Sequence, residues 1–481
     1  MAKLPFWTKV WYGYGNVGNA VKTVVFSTFL FFYYDQVLGL SSTMCGMAIF
    51  IALCFDAIND PLIGLWSDRT KSPKWGNRLI FMLFGGFPFA LFLFCLFIPP
   101  SDLSQTGLFI WFVVFAILTR TAQTFFQIPY LSLGAELTED YTERSNLYSF
   151  AQFFGFIGNV AVAGAGYLLF FRSTEQFDNG MLNEAMYPAF GIYAAVSILL
   201  GSYLSIFGIR KTVLKRTHAP AIHQQRFYKS ISNIFKNKSF KNIIIGLAIL
   251  MIINATGEIL STYLFLHFWE IKPEEIAIYL AAPFFIGLLI AMWLSPKTVQ
   301  WFDKKNTLIY SVVGIWLITT VLICLKLFNI IPNTKNAIVV TLMIGIGLIN
   351  VFAPLILITV NSIFADIADE IRFESEHQQT GALFSIRALL SKLATGVGSL
   401  FAGILLDMIH FPRGAEIGTV SKTVAYNLGL VSGPFLAVIG LIPILFFMNY
   451  KIDKNRHQMI QNALLNKEKY EKMSGSNPTS D

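Results

Sequence analysis

Apolar segments of about twenty residues recur from one end of the chain to the other, and nothing else in it constrains the fold as strongly. A helix of that length crosses ~30 Å of hydrocarbon, where each backbone polar group must find its partner inside the segment. Roughly twelve such segments can be laid along the sequence. The first set is 10–34, 43–65, 79–99, 107–129, 147–171 and 187–207; the second is 242–268, 276–294, 308–328, 337–362, 383–406 and 424–447. Mean hydropathy is +0.59 and only 13% of residues are charged, so water is not the main solvent of this chain. The expectation is an all-α membrane protein with twelve transmembrane helices in two pseudo-symmetric six-helix bundles. The first segment carries Lys22 and several glycines and has no small-residue cleavage site, so it reads as a helix and not as a signal peptide. Cys45, Cys54, Cys95 and Cys324 all lie in apolar segments, without disulfide or metal spacing.

A net charge of +8 could suggest nucleic acid, but the basic residues cluster in alternate loops, which is the pattern of membrane orientation. Arg69, Lys71, Lys74 and Arg78 follow the second segment, and a basic run occupies 210–241. Lys297, Lys304 and Lys305 follow the eighth segment, and Lys451, Lys454 and Arg456 the last. The expectation is a multi-pass protein of a bacterial inner membrane, with both termini cytoplasmic and no nucleic-acid partner. The polar run also divides the chain: a six-helix bundle over 1–209, a cytoplasmic linker over 210–241, a second bundle over 242–449 and a cytoplasmic tail over 450–481. A faint internal repeat supports duplication, since GLWSDRTKSPKWGNR after the second segment and SPKTVQWFDKKN after the eighth each run from acidic to basic.

The second segment contains Asp56-Ala-Ile-Asn59-Asp60-Pro61. Spacings of three and four place Asp56, Asn59 and Asp60 on one helical face, so two carboxylates and an amide carbonyl converge. Charges at this depth are costly and normally face a cavity or an ion. Such oxygens suit a hard cation, while a carboxylate pair in a low dielectric also suits a proton. Pro61 removes a backbone donor and leaves the Ala57 carbonyl open as a further ligand. A pair bonded only to neighbouring helices is the plainer alternative. Lys22 in the first segment, Glu258 in the seventh and Lys392 in the eleventh are further intramembrane charges. Lys22 either meets an anionic or zwitterionic headgroup, snorkels, or pairs with Asp56 or Asp60. Gly13, Gly15 and Gly18 permit close helix contact.

Residues 56–64 and Ile128-Pro-Tyr-Leu-Ser-Leu-Gly-Ala-Glu136, continuing through Asp140 to Arg144, resemble the glycoside, pentoside and hexuronide cation symporters of the major facilitator superfamily, the family of the melibiose permease. The resemblance extends to Tyr12-Gly-Tyr-Gly15, to the helix end from Tyr34 to Ser41, to Ala365-Asp366-Ile-Ala-Asp369-Glu370 and to Lys392. It implies that Asp56, Asn59, Asp60 and Thr124 bind the coupling cation, Na+ or H+, and that Lys392 stands in a central cavity; an ammonium placed there is expected to help link that site to the substrate. Gly64, Asp68 and Arg69 match the conformational latch after the second helix of major facilitators. Where the melibiose permease has charged sugar ligands this chain has Ala20, Gln127 and Gln152, so an uncharged polar solute is expected there, with Asn19, Lys22, Gln127, Gln152 and Lys392 as the substrate positions.

The expected activity is therefore cation-coupled symport of a small solute, a sugar or glycoside, by alternating access. A lysophospholipid carrier is an alternative, because sodium-dependent lysophosphatidylcholine carriers resemble this chain in the acidic motif and the late lysine. A membrane sensor that binds without transporting is another. The six histidines are scattered and no HExxH, GxSxG or CxxC spacing occurs, so no enzyme activity is expected. The implied partners are a small solute, a coupling cation and the bilayer, with no other cofactor and a monomeric state.

Overall fold

A computed structural model describes residues 4–70, 72, 74–138, 140–216, 234–375, 380–453 and 455–463. Among these, all regular structure is helical, and nine helices are long and apolar enough to cross a membrane. In chain order the main helices are α1 (Phe6–Tyr14), α2 (Val17–Val24), α3 (Ser42–Arg69), α4 (Leu79–Cys95), α5 (Gln105–Glu136) and α6 (Tyr141–Ala165). They continue with α7 (Tyr187–Arg216), α8 (Lys238–Tyr263), α9 (Pro273–Leu327), α10 (Lys335–Ser375), α11 (Thr380–Met408) and α12 (Lys422–Leu430).

Several apolar segments differ in detail from their expected form. The first is interrupted at Gly15 and Asn16, and beyond α2 it widens into π-type turns over Val25–Leu30 and Tyr33–Val37. The eighth and ninth are joined in α9, broken only at Asp303 (φ 64°), whose side chain accepts from the Lys304 N–H at 2.6 Å. With that break, the helical path agrees with the expected twelve crossings. The helices α3, α5 and α10 run on past their apolar stretches, because polar residues continue a helix into the interface without penalty. Their starts are set locally. Ser41 caps α3 through Met44 N–H, Ser104 caps α5 through Gly107 N–H, and Asp140 caps α6 through Glu143 N–H. The expected linker 210–241 is helical to Arg216 and again from Lys238; residues 217–233, like the tail beyond 463, lie outside the described residues.

Two compact units are present. The first comprises Met1–Ile222, Asn254–Ile278 and Lys392–Gly429, and the second His223–Ile253, Tyr279–Ser391 and Leu430–Asp481. In the first unit α3 packs along α5, α4 along both α5 and α7, and α1 and α2 against α6 and α7. The latter half of α11 lies antiparallel on α3 in a register set by missing side chains. A Cβ on Gly403 would stand 2.1 Å from the Ser42 carbonyl oxygen, and one on Gly46 would stand 2.4 Å from that of Ser399. Nearer the middle, Gly396 faces Phe50 and Leu53. Each turn up α3 is thus matched by a turn down α11, which brings Lys392 level with Asp56 and Asp60.

The second unit is tied by a buried acidic group on α10. Asp366 pairs with Lys304 at 2.7 Å and accepts from Tyr450 at 3.3 Å, while Glu370 receives Arg456 at 2.7 Å and Asn237 at 3.0 Å. Burial, reinforced by Asp366, pushes the Tyr450 phenol well above its ordinary pKa, so it remains a donor. Gln461 donates to Asp369 at 2.6 Å, so the start of the tail is held in place. The first unit has a counterpart, with Arg78 on Glu136 at 2.9 Å and on Ser67 at 2.6 Å. In both, a cation after one helix pair meets a carboxylate near the end of the next long helix, as the faint sequence repeat suggests.

The glycine seam is testable by thermal unfolding in detergent. Replacing Gly403 by Leu must separate α11 from α3 and is expected to destabilise the protein by more than about 3 kcal/mol. Gly164→Leu on α6, where an added Cβ meets nothing within 4 Å, should leave the midpoint nearly unchanged.

Candidate cation and substrate site

Three helices of the first unit supply the charged cluster. Asp56 and Asp60 project from one face of α3, one turn apart. From α5, the Thr124 hydroxyl lies 2.9 Å from Asp56 Oδ1 and 3.1 Å from Asp60 Oδ1. From α11, the Lys392 ammonium lies 3.0 Å from Asp56 Oδ2 and also bonds Asp60 Oδ2. The structure therefore brings together Asp56, Asp60, Thr124 and Lys392. Asn59 stands beside them and donates to Thr121 on α5 at 2.8 Å.

One member was missed in the sequence reading. Arg120, one turn before Thr124 on α5, places Nη1 3.4 Å from Asp56 Oδ2. The side chains of Asp56 and Arg120 are only 4% and 8% exposed, whereas those of Asp60 and Lys392 are 24% and 29% exposed. Asp56 is therefore the sequestered end of the pair and Asp60 the more open one. The signal for Arg120 was available: it is a charge inside an apolar segment, the criterion that had picked out Lys22 and Lys392.

The remaining substrate candidates are distributed around this cluster. Asn19 accepts from Gln123 at 2.8 Å, so Gln123 is a second polar group the sequence reading passed over. Lys22 on α2 is near enough to Asp56, Asp60, Arg120 and Lys392 to interact with all four charges, yet has no hydrogen bond or ion pair among the described residues. Gln127 has its Oε1 buried and unpartnered, and Gln152 on α6 is exposed. Glu258 lies on α8, where its backbone carbonyl accepts from Ser261 at 2.7 Å, and its side chain makes no bond to the cluster among the described residues. Of the latch positions, Gly64 packs at ordinary distance on Ile128 and Arg69 ends α3 exposed; the Asp68 side chain lies outside the described residues.

At the far end of α11, a second polar group closes the first unit. Asp35 is fully buried and accepts from Tyr263 at 2.5 Å, Ser42 at 2.6 Å and Gln36 at 2.8 Å. Asp407 accepts from Thr43 N–H at 2.8 Å and pairs with Arg413 at 3.1 Å, and Arg413 also reaches the Leu40 carbonyl at 3.2 Å. The family resemblance takes in the helix end from Tyr34 to Ser41, and so Asp35, Gln36 and Leu40, but it gave them no role; Ser42, Thr43, Tyr263, Asp407 and Arg413 carried no signal in the sequence.

An all-helical membrane fold with carboxylates, a lysine and an arginine converging inside it has the makings of a solute transporter, and comparison with known proteins gives the family. A family model described as MFS/sugar transport protein matches residues 11–454, and the chain belongs to that family, the glycoside/pentoside/hexuronide cation symporters. It is 42% identical over 163 residues to an uncharacterized symporter of Synechocystis sp.; that match covers 33% of this chain and 30% of the relative. Longer matches reach lower identity. An isoprimeverose transporter of Lactiplantibacillus pentosus is 22% identical over 90% of this chain and 86% of its own length. The sodium-dependent lysophosphatidylcholine symporter 1-A of Danio rerio is 20% identical over 99% and 92%. Among solved structures, the nucleoside transporter NupG shares the fold with a TM-score of 0.59 at 12% identity, covering 93% of this chain and 100% of that one.

The cluster can be tested as a unit. Removing one partner of a buried pair leaves the other uncompensated, so Lys392→Ala and Asp60→Ala should each destabilise by roughly 2–4 kcal/mol. The double variant should cost less than the sum, because neither charge is stranded, and a double-mutant cycle on thermal midpoints reads the difference.

Proposed function

We propose that this protein is a secondary active symporter that couples a cation, Na+ or H+, to uptake of a small uncharged polar solute, a sugar or glycoside, by alternating access. The observation that carries the reading is Lys392 lying on both Asp56 and Asp60. A lysine from the later part of the chain is held by carboxylates from the earlier part, so the link must change when access alternates. Cation and solute then act on one charge network: whatever satisfies the carboxylates releases Lys392, and a released Lys392 can bond the solute. Asn19, Gln123 and the unpartnered Gln127 oxygen supply neutral donors and acceptors suited to hydroxyl groups. The group around Asp35, Asp407 and Arg413 closes one end of the path and opens in the other state. The basic loops support cytoplasmic termini, and similarity over 140 residues to an inner membrane symporter of Escherichia coli supports an inner-membrane location. A monomer is sufficient for this cycle, since all the proposed groups come from one chain.

A lysophospholipid remains the second reading, favoured by the full-length similarity to the lysophosphatidylcholine symporter and by Lys22, an ammonium without an ion-pair partner among the described residues.

Uptake by proteoliposomes, screened with sugars, glycosides and lysophospholipids, separates the two. The expected result is accumulation of a sugar or glycoside driven by an imposed cation gradient. Asp60→Asn should abolish gradient-driven accumulation, by at least about tenfold, while Gln152→Ala should alter the apparent affinity for solute. Accumulation of lysophospholipid alone would transfer the assignment to the second reading, and binding without accumulation would leave a sensor.

A further inference from the structure

We propose that Arg120 is a tethered cation that occupies the Asp56 end of the coupling site and excludes Na+ from it, making Arg120 the residue that sets ion specificity. The inference rests on the reading of Asp56 and Asp60 as the coupling site, and concerns which ion that site admits.

Position is the first argument. Arg120 and Thr124 are four residues apart on α5, and the Thr124 hydroxyl lies 3.1 Å from the Arg120 carbonyl oxygen as well as within reach of both carboxylates. Any rotation of α5 that offers Thr124 to the site offers Arg120 too. The helices α3 and α5 pack side by side within the first unit, so this contact does not depend on α11 as the Lys392 contact does. The ring of Phe26, 4.8 Å from the guanidinium carbon, covers the other side of the group.

Charge is the second. Asp56 Oδ2 already receives Arg120 and Lys392, and Asp60 Oδ2 receives Lys392. Two negative charges thus face two fixed positive ones in direct contact; Lys22 pairs with neither carboxylate among the described residues and stands outside this count. An added Na+ meets no net attraction to offset the hydration it would lose. The oxygens themselves are suitable: Asp56 Oδ1, Asp60 Oδ1 and Thr124 Oγ1 converge, and the hydroxyl has one proton for three acceptors. The ligands fit Na+ and the charge does not. Without Arg120 the same carboxylates and Lys392 leave one negative charge, which matches a monovalent ion.

A purely structural role accounts less well for the contact. An arginine bound most strongly to a carboxylate uses a two-pronged fork, whereas Arg120 makes a single contact to Asp56 and has its Nε buried without a partner. What the site retains from Arg120 is its charge more than its hydrogen bonds.

The test uses the purified full-length protein and Na+ alone. Thermal unfolding is measured in NaCl and in choline chloride at equal ionic strength and fixed pH, for wild type, Arg120→Gln and Arg120→Gln combined with Asp56→Asn. The wild type should show no Na+-specific rise in midpoint at ~100 mM, and Arg120→Gln should gain a saturable rise, with Na+ bound at least about tenfold more tightly. Adding Asp56→Asn should remove that gain. A saturable Na+ effect in the wild type that Asp56→Asn removes overturns the proposal, as does a folded Arg120→Gln protein indifferent to Na+. Should Arg120→Gln fail to fold, Arg120→Met, which keeps an apolar stem beside Phe26, takes its place, and the wild-type titration still decides against the proposal if Na+ stabilises it. Because no solute enters, the result stands apart from the uptake assay: failure of any solute to accumulate removes symport without changing the Na+ titration.

Discussion

The pairing of Asp56 and Asp60 with cations from two other helices is the interaction on which the interior of the first unit depends. A carboxylate withdrawn from water loses roughly several kcal/mol of solvation, and only close, well-bonded cations restore it. Two of them one turn apart on α3 therefore dictate what can pack there. α5 must present Arg120 and Thr124, and α11 must approach closely enough for Lys392 to reach across. The absent side chains at Gly46 and Gly403 allow that approach, since any Cβ there would enter the backbone opposite. Packing and chemistry are in this sense one feature: the seam is small so that the lysine can arrive.

The same rule recurs wherever polar groups leave water. Asp35 is surrounded by Tyr263, Ser42 and Gln36, and Asp366 by Lys304 and Tyr450, so each buried carboxylate has several donors and no single contact carries it. Networks of this kind break and re-form as units, which suits a protein that must pass between discrete packed arrangements. Asp35 and Asp407 draw partners from far away in the sequence, Tyr263 for Asp35 and Thr43 for Asp407, so opening that end requires the later helices to move from the earlier ones.

How far the sequence could be read follows from how local each signal is. The apolar segments are local, and so is the spacing of Asp56, Asn59 and Asp60; both were legible. Thr124 became legible through family resemblance, because nothing in its own surroundings distinguishes one intramembrane threonine from another. Arg120 is a charge inside an apolar segment and was legible on the same ground as Lys22 and Glu258, although no family motif marks it. The Asp35 group lies at the other extreme: Tyr263 is 228 residues away, and no periodicity links the two. The Asp303 break was also hidden, since a left-handed residue within a helical run depends on its surroundings.

Arg120 and Lys392 satisfy the same oxygen of Asp56 by different routes, and the difference matters for coupling. Arg120 comes from α5, the neighbour of α3 in an unbroken part of the chain, whereas Lys392 comes from α11. The charge on Asp56 is thus answered from within its own bundle, while Asp60, the more exposed carboxylate, relies on Lys392. When that lysine leaves, the unmet charge appears at Asp60 and not at Asp56. Two carboxylates of identical chemistry, one turn apart, are in this way given separate duties: one anchors α5 to α3, and the other is left open to whatever replaces the lysine.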